Sequence, residues 1–199
     1  MQLGEDVARN MIMAAAARVF SQKGLRAASV DDLLEAANVS RRTFYRLYES
    51  KDDVALALYN WGTKGLVASW QRAIESSKDP IEQFTRCIDA HLKNAGTVGR
   101  LVFVLCGEAS RQESPLHTRR MEVHTELVEM LRAAHPDTAK LDPLLVRTTI
   151  LALEAVTRQV LTDCDEGRKV TPTALARARN VMVHLVSAGF VSAGTSDGD

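Results

Sequence analysis

Three times along this chain a helix-capping residue is followed at once by proline: Asp79-Pro80, Asp142-Pro143 and Thr171-Pro172. At the first helical position the missing N–H of proline costs nothing, and its fixed φ suits the turn. With Pro115 and Pro136 these are all the prolines in 199 residues, so the stretches between them run without a breaker. Within those stretches apolar residues recur at steps of three and four rather than two. The pattern predicts an all-α chain and leaves no room for a sheet.

The first helix is expected over about residues 5–22, where Ala8, Met11, Ile12, Ala15, Val19 and Phe20 form one stripe and Gly24 suits a left-handed cap. A short helix follows Ser29, with Asp32 placed three residues later as in a capping box. Leu33, Ala36 and Ala37 give it a core face, and Asn38 tolerates the left-handed backbone of a sharp turn. Ser40 then caps a third helix over 41–48, with Phe44 and either Leu47 or Tyr48 inward. Two short helices joined by a tight turn make a helix-turn-helix unit. Fifty residues bury little surface, so a long fourth helix from Lys51 to about Ser76 is expected to brace them, capped by Ser50 with Asp52 and Asp53 in its first turn. Five further helices are read at 80–96, 98–111, between Pro115 and Pro136, at 143–163 and at 172–189. The last two form an antiparallel hairpin about a charged loop, 165–169. The expected domains are 1–50 for the helix-turn-helix, 51–190 for a helical second domain, and a flexible tail at 191–199.

Charge narrows the function classes. Lys plus Arg and Asp plus Glu each total 25, which excludes a uniformly basic nucleic-acid coat protein but permits a locally basic surface. Cys87, Cys106 and Cys164 are far apart and odd in number, so no disulfide framework or zinc finger is expected, and a reducing cytoplasm fits. The first residues include Glu5, Asp6 and Arg9 and carry no signal-like apolar core. No stretch approaches the roughly 20 apolar residues of a membrane span, so no membrane partner is expected.

The segment that carries chemistry is NVSRRTFYRLYESK, residues 38–51. Arg41, Arg42 and Thr43 fall in the first turn of a short exposed helix, the part of a recognition helix that reaches base edges in the major groove. Arginine bonds bidentately to guanine O6 and N7, and threonine offers a hydroxyl to phosphate or a methyl to thymine. Tyr45, Arg46 and Lys51 suit phosphate contact, with Ser40 and the amides near Ser50 as further donors. Taken singly, Arg41 and Arg46 are ordinary solvated charges and Tyr48 is core; the cluster gains weight because it sits on one short helix after one tight turn.

This segment resembles the helix-turn-helix of the TetR family of bacterial transcriptional regulators. The likeness is strongest over 19–58, in the run VFSQKGLRAASVDDLLEAANVSRRTFYRLYESKDDVALAL. It is carried by the spacing of Phe20 and Gly24, by the block Val39-Ser40-Arg41-Arg42-Thr43-Phe44-Tyr45, and by the lysine-led fourth helix at Lys51. The resemblance implies base or phosphate contacts from Arg41, Arg42, Thr43 and Tyr45, and phosphate contacts from Lys51 and Ser29. Leu47 stands where histidine is frequent, and Ala28 where threonine or serine is frequent, so two polar contacts of the family are missing.

The resemblance further implies a homodimer on a near-palindromic double-stranded operator, its last two helices forming a four-helix bundle. Leu145, Leu153, Val156, Val160, Leu175, Ala178, Met182 and Leu185 are the expected interface, with closure of a monomer core as the alternative. Two joined modules bind more tightly than one, and their symmetry matches a palindrome. A cavity for a small-molecule effector between the middle helices is implied as well. Trp61, Trp70, Phe84, Cys87, His91, Phe103, Cys106, Met121 and His124 are its candidate lining, with Met130 and His117 beside them. That mostly apolar set favours a hydrophobic or aromatic ligand. Cys87 with His91, and His117 with His124, have spacings compatible with a metal, but no compact set of ligands is evident, and no metal or cofactor is expected.

The expectation is therefore a cytoplasmic homodimeric repressor released from its operator by a ligand. An effector-independent regulator or activator of the same fold is the alternative, and a helical small-molecule carrier without DNA binding is a further one. No GxGxxG, P-loop, HExxH or nucleophile elbow is present, so an enzyme is not expected.

Overall fold

The computed structural model describes residues 2–134, 142–165 and 170–193. Among these residues there are nine α-helices and no strand. They are α1 (Gln2–Lys23), α2 (Val30–Ala37), α3 (Arg41–Leu47), α4 (Lys51–Glu75), α5 (Pro80–Val98), α6 (Arg100–Ala109), α7 (His117–Ala134), α8 (Pro143–Asp165) and α9 (Pro172–Ala193). None of them is long and apolar enough to cross a membrane.

Packing divides the chain into two units. The first comprises Met1–Thr63 with Arg100–Arg120, the second Lys64–Gly99 with Met121–Asp199. This division does not follow the boundary expected at residue 50. The core of the first unit explains why: Phe20, Leu33 and Phe44 are buried together with Val54, Ala55, Leu58 and Tyr59 of α4, Leu105 and Ala109 of α6, and Leu116. A three-helix module with so little interior gains a core only by recruiting these side chains.

In the first unit the start and stop signals act as the residues suggest. Gly24 takes φ 77° and its N–H donates to Phe20 O at 2.9 Å. Ser29 Oγ accepts from the Asp32 N–H at 3.1 Å, while the Ser29 N–H donates to Asp32 Oδ2 at 2.9 Å, a reciprocal capping box. Asn38 adopts φ 51°, ψ 47°, which turns the chain sharply into α3. Met11, expected in the apolar stripe of α1, is exposed. The buried face runs through Ala8, Ile12, Ala15, Ala16, Val19 and Phe20, and Met11 lies at its margin.

The second unit is built on a core of Trp70, Phe84, Ile88, Leu127, Leu153 and Met182, in which α5, α8 and α9 pack pairwise. Asp79 caps α5 by accepting from the Glu82 N–H at 2.8 Å, as the cap-proline signal implied. Two expected stops move. Gly96 does not end α5; the helix continues to Gly99, which takes φ 63° and donates to Ala95 O at 2.8 Å. Gly189 does not end α9, which runs through Ala193. A glycine inside a helix costs only about 1 kcal/mol against alanine, less than tertiary packing returns. The loop expected at 165–169 lies outside the described residues except for Asp165, which ends α8, and of the expected tail only 191–193 are described, within α9.

Candidate functional site

The predicted recognition helix is presented to solvent. Ser40 Oγ accepts from the Thr43 N–H at 3.0 Å and lies 2.8 Å from the Thr43 hydroxyl, so one serine fixes the first turn of α3. Phe44 is fully buried and Leu47 and Tyr48 are nearly so, which anchors one face. The opposite face carries Arg41, Arg42 and Arg46, all exposed, with Thr43 half-buried and Tyr45 48% exposed. The Tyr45 ring meets Phe44 edge-on at 5.4 Å, which sets its direction from the core outward. Both inward candidates are used: Leu47 packs inside, and Tyr48 caps the helix with extended backbone while remaining buried. Arg9 braces this end, its guanidinium 5.5 Å over the Tyr48 ring and donating to Leu47 O at 3.5 Å.

The arginines differ in their partners. Arg41 donates to Asp31 of α2 in an exposed ion pair. A guanidinium has five donors, so this contact steers Arg41 and leaves N–H groups for a base or phosphate. Arg46 lies 3.3 Å from Glu5. Ser29, expected at phosphate, spends its hydroxyl on the α2 cap, though the side chain remains exposed. Lys23 donates to Asp32 at 2.6 Å, and this hydrogen bond, with those from Ser29, holds the Asp32 carboxyl at about 2, well below its usual range.

Lys51 occupies a different setting from the one its phosphate role implies. Its Nζ donates to Leu25 O at 2.9 Å, Arg26 O at 3.0 Å and Ala28 O at 2.5 Å. An ammonium has three N–H donors, and here three carbonyls of the α1–α2 connection take them. The lysine clasps that connection to the start of α4. Nothing in the spacing of the sequence announces this, because the acceptors are backbone atoms 23–26 residues away.

The expected effector lining is divided between the units. Trp70, Phe84, Cys87, His91 and His124 gather in the second. Trp61 is 70% exposed in the first unit, where Phe103 and Cys106 are half-buried; Met121, in the second unit, is exposed. The gathered group holds polar atoms that the sequence did not single out. His124 Nε2 donates to Glu154 Oε1 at 2.7 Å, and Thr157 lies one turn along α8 from Glu154. The rings of Trp70 and His91 meet at 6.3 Å, and the Cys87 thiol donates to Trp70 O at 3.9 Å. Burial lowers the His91 ring to about 4 against a smaller opposing effect of Glu154, and burial raises the Cys87 thiol to about 12. Trp70 Nε1, His91 Nδ1, His124 Nδ1 and Thr157 Oγ1 are buried without a hydrogen-bond partner. An open groove of ≈ 290 Å³ lies elsewhere in the unit, along Asp89, Lys93, Leu175 and Arg179, where Arg179 Nε donates to Asp89 at 2.6 Å. Among the described residues no cluster suited to a metal occurs.

The expected dimer set also divides. Leu153, Ala178 and Met182 are buried in the core of their own unit, and Leu145, Val156, Val160 and Leu175 are half-buried. Of the expected set Leu185 on α9 points outward, and Val181 on α9 and Leu144 and Leu151 on α8 do so as well. A helix in a bundle has both an inner and an outer apolar face, and periodicity alone does not tell which is which.

Comparison with known proteins places these features. The family model described as bacterial regulatory proteins, tetR family, matches residues 12–58, from α1 into α4. The HTH-type transcriptional regulator EthR of Mycolicibacterium smegmatis is 34% identical over 87 residues, 43% of this chain and 40% of that protein. The HTH-type transcriptional activator FasR of the same organism is 27% identical over 89 residues, 45% of this chain and 41% of that protein. The chain thus matches about two fifths of the length of these curated relatives. A crystal structure of the transcriptional regulator FadR from Bacillus subtilis in complex with stearoyl-CoA shares the fold at a TM-score of 0.75, covering 90% of this chain and 97% of that one at 16% identity. Residues 12–58 thus match the helix-turn-helix model of the tetR family of bacterial regulatory proteins, and the chain shares its all-helical fold with solved regulators of that family.

Proposed function

We propose that the chain is a cytoplasmic, homodimeric, sequence-specific DNA-binding regulator, and that a small apolar or aromatic ligand releases it from a palindromic operator. The observation that carries the DNA-binding reading is the exposed first turn of α3, where Arg41, Arg42 and Thr43 stand over the buried anchor of Phe44. In the reading adopted here, Arg41 and Arg42 address base edges, Thr43 and Tyr45 address bases or phosphate, and Arg46 adds phosphate contact. Lys51 and Ser29 act mainly through the shape of the module, because their donors and acceptors are committed within it.

The outward stripes of Leu144, Leu151, Val181 and Leu185 support a homodimer formed by α8 and α9. The apolar interior of the second unit, with its unpaired polar atoms, supports a ligand there. The structural neighbour solved with stearoyl-CoA supports an apolar ligand by analogy. Ligand binding changes the separation of the two recognition helices from the spacing of about one DNA turn, ~34 Å, that the operator requires. The ligand acts only through its different affinity for the two states. A relative named as an activator favours keeping a second reading, in which the same module activates transcription.

The test is selection of random duplex DNA by the purified protein. The proposal expects an enriched inverted repeat with half-sites one helical turn, or a multiple of it, apart. Absence of any enriched sequence refutes it. Leu185→Glu places charge on the proposed dimer stripe and is expected to yield monomers in sedimentation; a dimer of unchanged stability refutes that interface.

A further inference from the structure

Asp31 and Asp32 stand side by side in the first turn of α2, and the fold uses them differently. Asp32 closes the capping box with Ser29 and takes the Lys23 ammonium at 2.6 Å. Asp31 takes no part in that cap. Its carboxylate is 73% exposed, and its partner is the guanidinium of Arg41, ten residues on at the start of α3. An exposed ion pair adds little to stability, so this one is not needed to hold the two helices together. An unpaired carboxylate beside a helix that meets DNA would repel phosphate and weaken every complex alike. The pairing with Arg41 gives Asp31 a different consequence.

The pair changes both the charge and the direction of Arg41. Non-specific affinity for duplex DNA comes from cations that displace counterions at phosphates, whatever the sequence. An arginine that already faces a carboxylate supplies little of it. Arg42, the next residue, is exposed and has no hydrogen-bond or ion-pair partner among the described residues, so its charge is undiminished. Guanine asks for something else, namely two parallel N–H donors held in one orientation toward O6 and N7. The guanidinium carries five N–H donors in a fixed fork, and one hydrogen bond from Nη2 leaves a complete two-donor edge open. Asp31 thus lowers the attraction that depends on charge and keeps the one that depends on geometry.

We propose that Asp31 is a specificity-determining residue of the DNA-binding surface, which holds Arg41 for a guanine edge and withholds it from phosphate. This deepens the reading of α3 as the helix that reads bases and rests on it. Asp31 is a positioning residue that acts through Arg41. Its effect therefore lies in the ratio of operator to non-operator affinity, not in operator affinity alone.

The full-length protein and its variants Asp31→Asn, Arg41→Ala and the two combined are titrated at several salt concentrations. The probes are the selected operator, its single-base variants and an unrelated duplex of equal length. Arg41→Ala locates the base pair that Arg41 reads, as the position where discrimination is lost. Asp31→Asn is expected to reduce discrimination at that base pair about tenfold. It is also expected to tighten binding of the unrelated duplex and to steepen the slope of log affinity against log salt by about 0.9 per subunit, with the thermal melt unchanged. In the Arg41→Ala background the same substitution is expected to leave discrimination as it is. Full wild-type discrimination in Asp31→Asn overturns the proposal, and so does an even gain on every duplex, which assigns Asp31 to repulsion alone. A lowered melt with an even loss on every duplex also overturns it and assigns Asp31 to the fold. If Arg41→Ala relaxes no base pair, Arg41 reads none and the inference falls, while α3 stands as the reading helix if Arg42→Ala relaxes one.

Discussion

The helix-turn-helix of the first unit and the interior of the second differ in how their polar side chains are paired. In the first, Ser29, Asp32, Ser40, Arg9 and Lys51 are committed to caps, carbonyls and ring faces of the module itself. In the second, Trp70, His91, His124 and Thr157 keep buried polar atoms without partners. The difference separates two tasks. A surface that reads another molecule must be held rigid from within, and here the caps and carbonyls of the module are satisfied internally while the outward arginines, Thr43 and Tyr45 face the proposed DNA. An interior that receives a ligand must leave hydrogen-bonding capacity unspent, at a cost in stability.

The contrast can be broken most forcefully at its rigid end. Phe44→Ala empties the fully buried anchor of α3, and is expected to lower stability by about 3–5 kcal/mol in denaturant titration and to abolish DNA binding. Retained binding with unchanged stability would mean that α3 is not fixed by its core. Lys51→Met removes the donor of three carbonyls, and a loss of about 2–3 kcal/mol is expected, with the salt dependence of DNA binding unaltered. If Lys51 instead neutralises a phosphate, stability holds and the slope of log affinity against log salt falls by about one.

The unspent end responds to acid. His91 takes a proton near 6.5 in the unfolded chain but only near 4 when folded. Between those values the unfolded chain binds more protons, so stability is complete above about 6.5 and is lost as pH falls toward 4. Urea unfolding at pH 7.5 and 4.5 should reveal on the order of 2 kcal/mol of this dependence, and His91→Phe should remove it. A dependence that survives the substitution assigns it to another group. The smallest expected effect is that of Ser40→Ala, about 1 kcal/mol, which tests whether the α3 cap contributes to rigidity.

Local grammar made much of the fold legible. The cap-proline pairs at 79–80, 142–143 and 171–172, the glycine after α1 and Asn38 in its left-handed turn each act through neighbours a few residues away, and each is found in place. The exposed residues of α3 were legible for the same reason, since a seven-residue helix with Phe44 and Leu47 inward has its remaining side chains outward. Long-range pairing was not legible. Lys51 meets carbonyls of another connection, His124 meets Glu154 thirty residues on, and Asp31 takes Arg41 from the preceding helix. The apolar residues of α8 and α9 were legible as apolar, but the division into an inner set with Leu153 and Met182 and an outer set with Leu151 and Leu185 depends on which neighbours each face meets.

The central claim is that the exposed turn of α3 reads bases. It is tested most directly by measuring Arg42→Ala against the selected operator and its single-base variants. The account predicts that wild-type discrimination of roughly 1–3 kcal/mol vanishes at one base pair of each half-site while the other positions keep theirs. An even loss of affinity at all positions, or no loss at any, would contradict it.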